Sequence, residues 1–150
     1  MKVKVKVEGL KELEKALSEL PVATRRNVAK RALMEAAKPM VDEAKQRAPV
    51  LSGHLQTSVT SGKPLSRRQR KEHQRKSDLE VFVGPDAAPQ GVMQEFGTVD
   101  HPAQPFLRPA FDNHVQAAIR TVGGILGREI EKAAARIARK QARLLAKSGG

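Results

Sequence analysis

The stretch Glu95-Phe96-Gly97-Thr98-Val99-Asp100-His101-Pro102-Ala103-Gln104-Pro105-Phe106-Leu107-Arg108-Pro109-Ala110-Phe111 constrains the fold more than any other part of the chain. It holds three of the four phenylalanines and three of the nine prolines, in a chain with no Trp and no Tyr. Gly97 permits a backbone turn that other residues resist. Pro102, Pro105 and Pro109 fix φ and push the residues before them toward extended conformations. The expectation is a stiff, non-helical connector presenting Phe96, Phe106 and Phe111 to a hydrophobic surface. Large aromatics are more often buried than displayed, so the protomer's own core is the expected destination, with a neighbour's pocket as the alternative.

The chain before this connector begins with Val3, Val5 and Val7 alternating with Lys2, Lys4 and Lys6, the period of a half-buried strand. From about Leu10 to Leu20, Leu10, Leu13, Leu17 and Leu20 share one face of an amphipathic helix that Pro21 stops. A second helix is expected over 22–48, with Val28, Ala32, Leu33, Ala36, Met40, Val41, Ala44 and Ala48 as its inner stripe. Pro39 lies inside it and should kink or divide it, because proline lacks the N–H and crowds the preceding turn. After the turn at 48–53, His54-Leu55-Gln56-Thr57-Ser58-Val59 alternates as a strand, and Leu79-Glu80-Val81-Phe82-Val83 reads as another. These two should pair antiparallel, with the N-terminal strand as a third member. Residues 63–76, with seven positive charges and one negative, should form a long mobile hairpin loop. A short helical turn is expected within 87–94.

After Pro109 the pattern is helical to about Lys147, with Gly123, Gly124 and Gly127 favouring a bend or break. At about 100° per residue, Arg128, Lys132, Arg136, Arg139, Lys140, Arg143 and Lys147 fall on one arc of roughly 120°. Leu126, Ile130, Ala133, Ile137 and Leu144 lie opposite. The fold class that follows is α+β: a small antiparallel sheet of about three strands packed against long α-helices, with an extended C-terminal helix. The organisation expected is a connector domain over 1–122 carrying the basic hairpin insertion at 63–76, then a basic amphipathic helix extension over 123–150.

A net charge of +12 and a pI near 10.5 imply an anionic partner such as nucleic acid, a membrane surface or an acidic protein surface; a merely solvated basic surface is the plain alternative. With no cysteine, disulfides and thiolate metal sites are excluded. No run of about 18 apolar residues exists to span a membrane, and the first residues lack the apolar core of a signal peptide. The four histidines, His54, His73, His101 and His114, show no ligand spacing. Glu95, Asp100 and His101 are the nearest approach to a metal site, but a metal needs three or four converging ligands. Gly123-Gly124 lacks the Lys-Ser/Thr of a phosphate loop, Ser52-Gly53 is no nucleophile elbow, and no acid pair stands out. The expectation is a non-enzyme without catalytic, metal or cofactor residues.

Arg67, Arg68, Arg70, Lys71, Arg75 and Lys76 in the loop, and the seven cations of the C-terminal stripe, are candidates for non-specific phosphate contact or for docking an acidic protein surface. No aromatics interleave with them to stack on bases, which argues against sequence-specific reading. A membrane-surface role for the last helix is weaker, because its apolar side is mostly alanine and carries no aromatic.

The order of these features resembles a family. Val7-Glu8-Gly9-Leu10, Leu13 and Leu17, Ala44-Lys45, Ala48-Pro49, Ser52-Gly53-His54-Leu55, Ser58 and the Val81-to-Gly84 strand end precede Glu95-Phe96-Gly97-Thr98 and then Ala103-Gln104-Pro105-Phe106-Leu107-Arg108-Pro109-Ala110. Residues 1 to about 120 are similar to the head–tail joining, or tail-completion, proteins of long-tailed, siphovirus-like bacteriophages and prophages. The 63–76 insertion and the tail beyond Gly127 depart from that pattern. The resemblance implies a structural virion protein of the neck, present in host cytoplasm during assembly. It also implies a six-fold or twelve-fold homo-oligomeric ring, contacting head-closure and tail terminator or tube proteins and, non-specifically, packaged DNA. Glu95, Phe96, Gly97, Thr98, Pro105, Phe106, Leu107, Arg108 and Pro109 would be its interface or structural motif. A non-specific nucleic-acid-binding protein unconnected with a virion is the alternative.

Overall fold

Two long helices set the architecture, because each carries a stripe of small and aliphatic residues that is covered by the other and by the short elements packed around the pair. The computed structural model describes residues 9–50, 53–86 and 89–149. In chain order these form α1 (Leu10–Ser18), α2 (Val22–Arg47), α3 (His54–Ser58), β1 (Thr60–Ser61), α4 (Arg67–Glu72), β2 (Val83–Gly84), α5 (Pro89–Phe96) and α6 (Leu107–Ser148). The expected strand at Val3–Val7 lies outside the described residues.

α2 and α6 run antiparallel, as their partners reveal. Near the C-terminal end of α2, Met40, Val41, Ala44 and Ala48 pack with Leu55, Val59, Phe106 and Ala110, flanked by Val83 and Leu107. Near its other end, Val28 and Leu20 pack with Ile130 and Ala133, flanked by Leu13, Ala16, Leu17, Leu126 and Ile137. Alanines at these contacts let the backbones approach closely. Phe106 is the largest fully buried side chain, and its burial is worth about 2–3 kcal/mol. The inner stripe of α2 is as the sequence implies, except that Leu33 is only half-buried and Ala37 joins the buried set.

Polar contacts tie the same pair of helices together. Glu43 accepts from Arg47 Nε at 2.6 Å and from Asn113 Nδ2 at 2.7 Å, and its second oxygen lies 2.5 Å from His114 Nε2. Arg31 pairs with Glu129 at 3.3 Å toward the other end.

Several expectations are corrected. α2 is undivided through Pro39: Ala36 and Ala37 before it and Met40 and Val41 after it are all buried, which offsets the local cost of the proline. The expected break at Gly123, Gly124 and Gly127 is absent for a similar reason, since α6 packs on α1 and α2 across this region and is continuous over 42 residues. Residues 54–58 form α3 and not a strand. Leu55, Ser58 and Val59 are buried at helical spacing, and Thr57 Oγ1 returns to the carbonyls of Gly53 and His54. The antiparallel pairing is present but short, Thr60 opposite Gly84 and Ser61 opposite Val83, giving two strands among the described residues instead of about three. The 63–76 segment is not all loop, because Ser66 and Gln69 form a reciprocal capping box that starts α4. Beyond it, His73 lies edge-on to Phe82 and 2.7 Å from Glu80. The helical turn expected in 87–94 is α5.

Two predictions follow from this packing. An added Cβ at Gly123 or Gly124 meets nothing within 4 Å, so Gly123→Ala and Gly124→Ala should each raise stability by about 0.5–1 kcal/mol, read from urea midpoints. Hydrogen bonds from Arg47, Asn113 and His114 hold the Glu43 carboxyl below its ordinary 4.5, and the Lys76 amide and His73 do the same for Glu80. With these pKa values depressed in the folded state, the unfolded chain takes up protons first. Stability should therefore be level above about pH 4.5 and fall as pH drops below it, with a shallower fall in Glu43→Gln, followed by denaturation at stepped pH.

Candidate functional site

The first residues of a helix have N–H groups with no carbonyl to bond, and at a buried helix start these need a partner. At the start of α6 that partner is Glu95, the penultimate residue of α5. Its buried carboxylate accepts from the N–H groups of Phe106 at 2.8 Å and Leu107 at 2.9 Å through Oε2, and of Arg108 at 2.9 Å through Oε1. The next residue is Pro109, which has no N–H to satisfy. The four positions left open at the helix start are thereby closed by one carboxylate and one proline. The negative charge also sits favourably at the positive end of the helix dipole.

Between carboxylate and helix, the chain makes a tight excursion. Gly97 closes α5 with its N–H on the Met93 carbonyl at 2.8 Å and adopts φ 75. A side chain there would also lie 2.8 Å from the Ala103 nitrogen, so both conformation and space require glycine. Thr98 and His101 exchange backbone hydrogen bonds around a turn tipped by Val99 and Asp100. The Gln104 N–H returns to the Gln94 carbonyl at 2.7 Å, and Pro105 leads into Phe106. Glu95, Phe106, Leu107 and Arg108 are thus brought together as one clamp, with Gly97, Thr98, Pro105 and Pro109 shaping the chain around it.

The connector is therefore stiff and non-helical only over 97–106, because α6 begins before Pro109. The three phenylalanines do not share one fate. Phe106 is fully buried, whereas Phe96 is 65% exposed and Phe111 48%, which corrects the expectation that all three fill the protomer's core. The Arg108 guanidinium lies 6.0 Å from the centre of the Phe96 ring, so the start of α6 borders that exposed ring. Val92 and Met93 on α5 and Val99 at the turn are exposed as well. These three apolar residues are absent from the sequence-based candidates, although the spacing of Val92 and Phe96, one helical turn apart, carries the signal once α5 is known to be a helix.

Asp100 and His101 are exposed at the turn, while Glu95 is buried and engaged by three amides. Among the described residues, no group of three or more His, Asp or Glu side chains is placed to hold a metal ion. The candidate cations occupy two separate elements and all are exposed: Arg67, Arg68, Arg70 and Lys71 on α4, with Arg75 and Lys76 just after it, and Arg128, Lys132, Arg136, Arg139, Lys140, Arg143 and Lys147 along α6. Arg75 is turned back onto the carbonyls of Ser77 and Asp78, Arg68 pairs with Glu72 at 3.9 Å, and Lys132 pairs with Glu129 at 3.7 Å. No helix among the described residues is long and apolar enough to cross a membrane.

The clamp fixes the frame and leaves aromatic and aliphatic side chains of α5 and the adjoining turn on the outside. Residues 11–97 match the family model described as "Bacteriophage HK97-gp10, putative tail-component". The match spans more than half of the chain, and the chain belongs to this family of phage tail components. It ends at Gly97, just past the clamp carboxylate. Comparison with curated proteins and with solved structures finds no significant match.

Removing the carboxylate should leave three amides at the start of α6 without their acceptor. Glu95→Ala is expected to lower stability by about 3 kcal/mol and Glu95→Gln by roughly half as much, since the amide oxygen retains one acceptor. Chemical denaturation gives the size of the loss, and faster hydrogen exchange at the amides of 106–108 gives its location.

Proposed function

We propose that this tail component is a non-enzymatic protein of the neck of a siphophage-like virion. It acts in tail completion, as part of a homo-oligomeric ring that joins the head-closure proteins to the tail terminator or tube. The observation that carries this reading is the apolar surface of α5 and the adjoining turn, held outward on the Glu95 clamp within a chain of the tail-component family. The thin core of alanine, valine and leucine supports it too, because protomers that bury surface against one another gain stability that a single copy lacks. The exposed cations around α4 supply non-specific contact with packaged DNA in this reading, since phosphate contact needs charge without aromatic stacking.

Electron cryo-microscopy of intact particles carrying this protein tests the proposal. The expected outcome is a closed ring of the chain between head and tail tube. Particles with no copy at the neck overturn it. A stable monomer that binds free duplex DNA with a steep salt slope, with no place in particles, would favour the alternative of a non-specific nucleic-acid-binding protein.

A further inference from the structure

The long helix α6 outruns its partners. Ile130 and Ala133 are buried and Ile137 half-buried on the face turned to α1 and α2. Leu144 continues that same face, yet it is 58% exposed, and its neighbour Leu145 is 72% exposed. From Ala138 to Gly149 every residue is exposed. This end carries Arg139, Lys140, Arg143 and Lys147, none with an ion-pair partner among the described residues, and has no carboxylate.

The opposite end of the molecule is mixed in charge: Asp86 and Glu80 are engaged by Lys63 and His73 of the basic segment between β1 and β2, and Glu95 by the amides of α6. On α5, the turn after it and the first turns of α6, the carboxylates left over are Asp100 and Asp112. The same stretch presents exposed Val92, Met93, Phe96 and Val99, and the exposed Phe111 in the first turns of α6. Val92 and Phe96 share one face of α5. Asp100, next to Val99 at the turn, and Asp112, one turn along α6 from the Arg108 that lies against Phe96, are exposed and have no ion-pair partner among the described residues.

We propose that the occupant of this strip is a second copy of the same chain: the free end of α6, with Leu144 and Leu145, docks on Val92, Met93, Phe96 and Val99 of its neighbour. The two surfaces match in both respects that matter, apolar against apolar and a cationic rim against an acidic one. They cannot meet within one copy. Leu144 lies more than thirty residues along an unbroken helix from the start of α6, a separation of about 50 Å. Each copy therefore offers one surface to the copy behind and the other to the copy ahead, and a contact between unlike patches propagates into a ring when its rotation closes. The inference rests on the ring reading above and gives that ring its contact. It also accounts for the exposure of Phe96, whose position against Arg108 is fixed by the clamp.

The absence of cysteine makes the test direct. In the full-length Val99→Cys/Gln141→Cys chain, a short bis-maleimide cross-linker can join the two positions only between copies, given their separation within one. The expected result is a ladder of linked species beyond the dimer, both in solution and in assembled particles, with neither single-cysteine variant giving the ladder. Leu144→Asp should reduce linking at least tenfold. Arg139→Glu/Lys140→Glu should weaken it similarly and regain it when combined with Asp100→Lys/Asp112→Lys. Oligomers seen by light scattering or in particles without the 99–141 link overturn the docking and leave the ring reading standing. A chain that is monomeric in solution and in particles overturns both. Duplex DNA binding abolished by Arg139→Glu/Lys140→Glu/Arg143→Glu, with no link formed, overturns the docking and assigns the cationic end to DNA.

Discussion

One carboxylate holds this molecule in register. Glu95 lies at the end of α5, and the amides that it accepts belong to the first turn of α6, eleven to thirteen residues later. The intervening turn is fixed at both ends as a result, and Phe106 enters the core among Met40, Val41, Ala44 and Leu55. Hydrogen bonds to an ionised acceptor are stronger than neutral ones, and here three converge on one group in a buried position. The position of α5 relative to the long helices, and so the direction in which Phe96 faces, depends on that group.

The remainder of the fold is a pair of antiparallel helices joined by small side chains. Alanine at Ala32, Ala36, Ala44, Ala110 and Ala133 brings the backbones close but contributes little apolar area, so the single protomer has a thin core. The pair is supplemented by Glu43, which links α2 to Asn113 and His114, and by Arg31 with Glu129. Such a scaffold is long and slender, leaving apolar residues uncovered at both ends. The chain that takes this shape belongs to a family of phage tail components.

Periodicity reported the helices well. Leu13, Leu17 and Leu20, the inner stripe of α2 apart from Leu33, and the packed face of α6 as far as Ile137 were legible, because a helix face is written at a spacing that no other element shares; Leu144, expected on that face, is exposed. Breakers were the poorer guide. Pro39 and the glycines of α6 each carry a local cost, but burial on either side of them is larger, and burial depends on a partner helix far away in sequence. The segment at 54–59 went astray for a different reason. Six residues are too few to separate a two-residue period from a helical one, and only contact with α2 and Phe106 selects the helix.

The sequence by itself determined the dense proline and phenylalanine connector, the need for glycine at 97, the basic charge and the family pattern. It also determined that no residues with ligand or nucleophile spacing stand out. Only the tertiary structure decided what the connector does. Composition treats Phe96, Phe106 and Phe111 alike, yet one is buried and two are exposed, because a side chain's surroundings are set by residues distant in the chain. Likewise Glu95 reads as one charge among many until the start of α6 is folded against it. A carboxylate eleven residues before a helix has no local signature as its cap, since the geometry that makes it one exists only after the turn between them has closed.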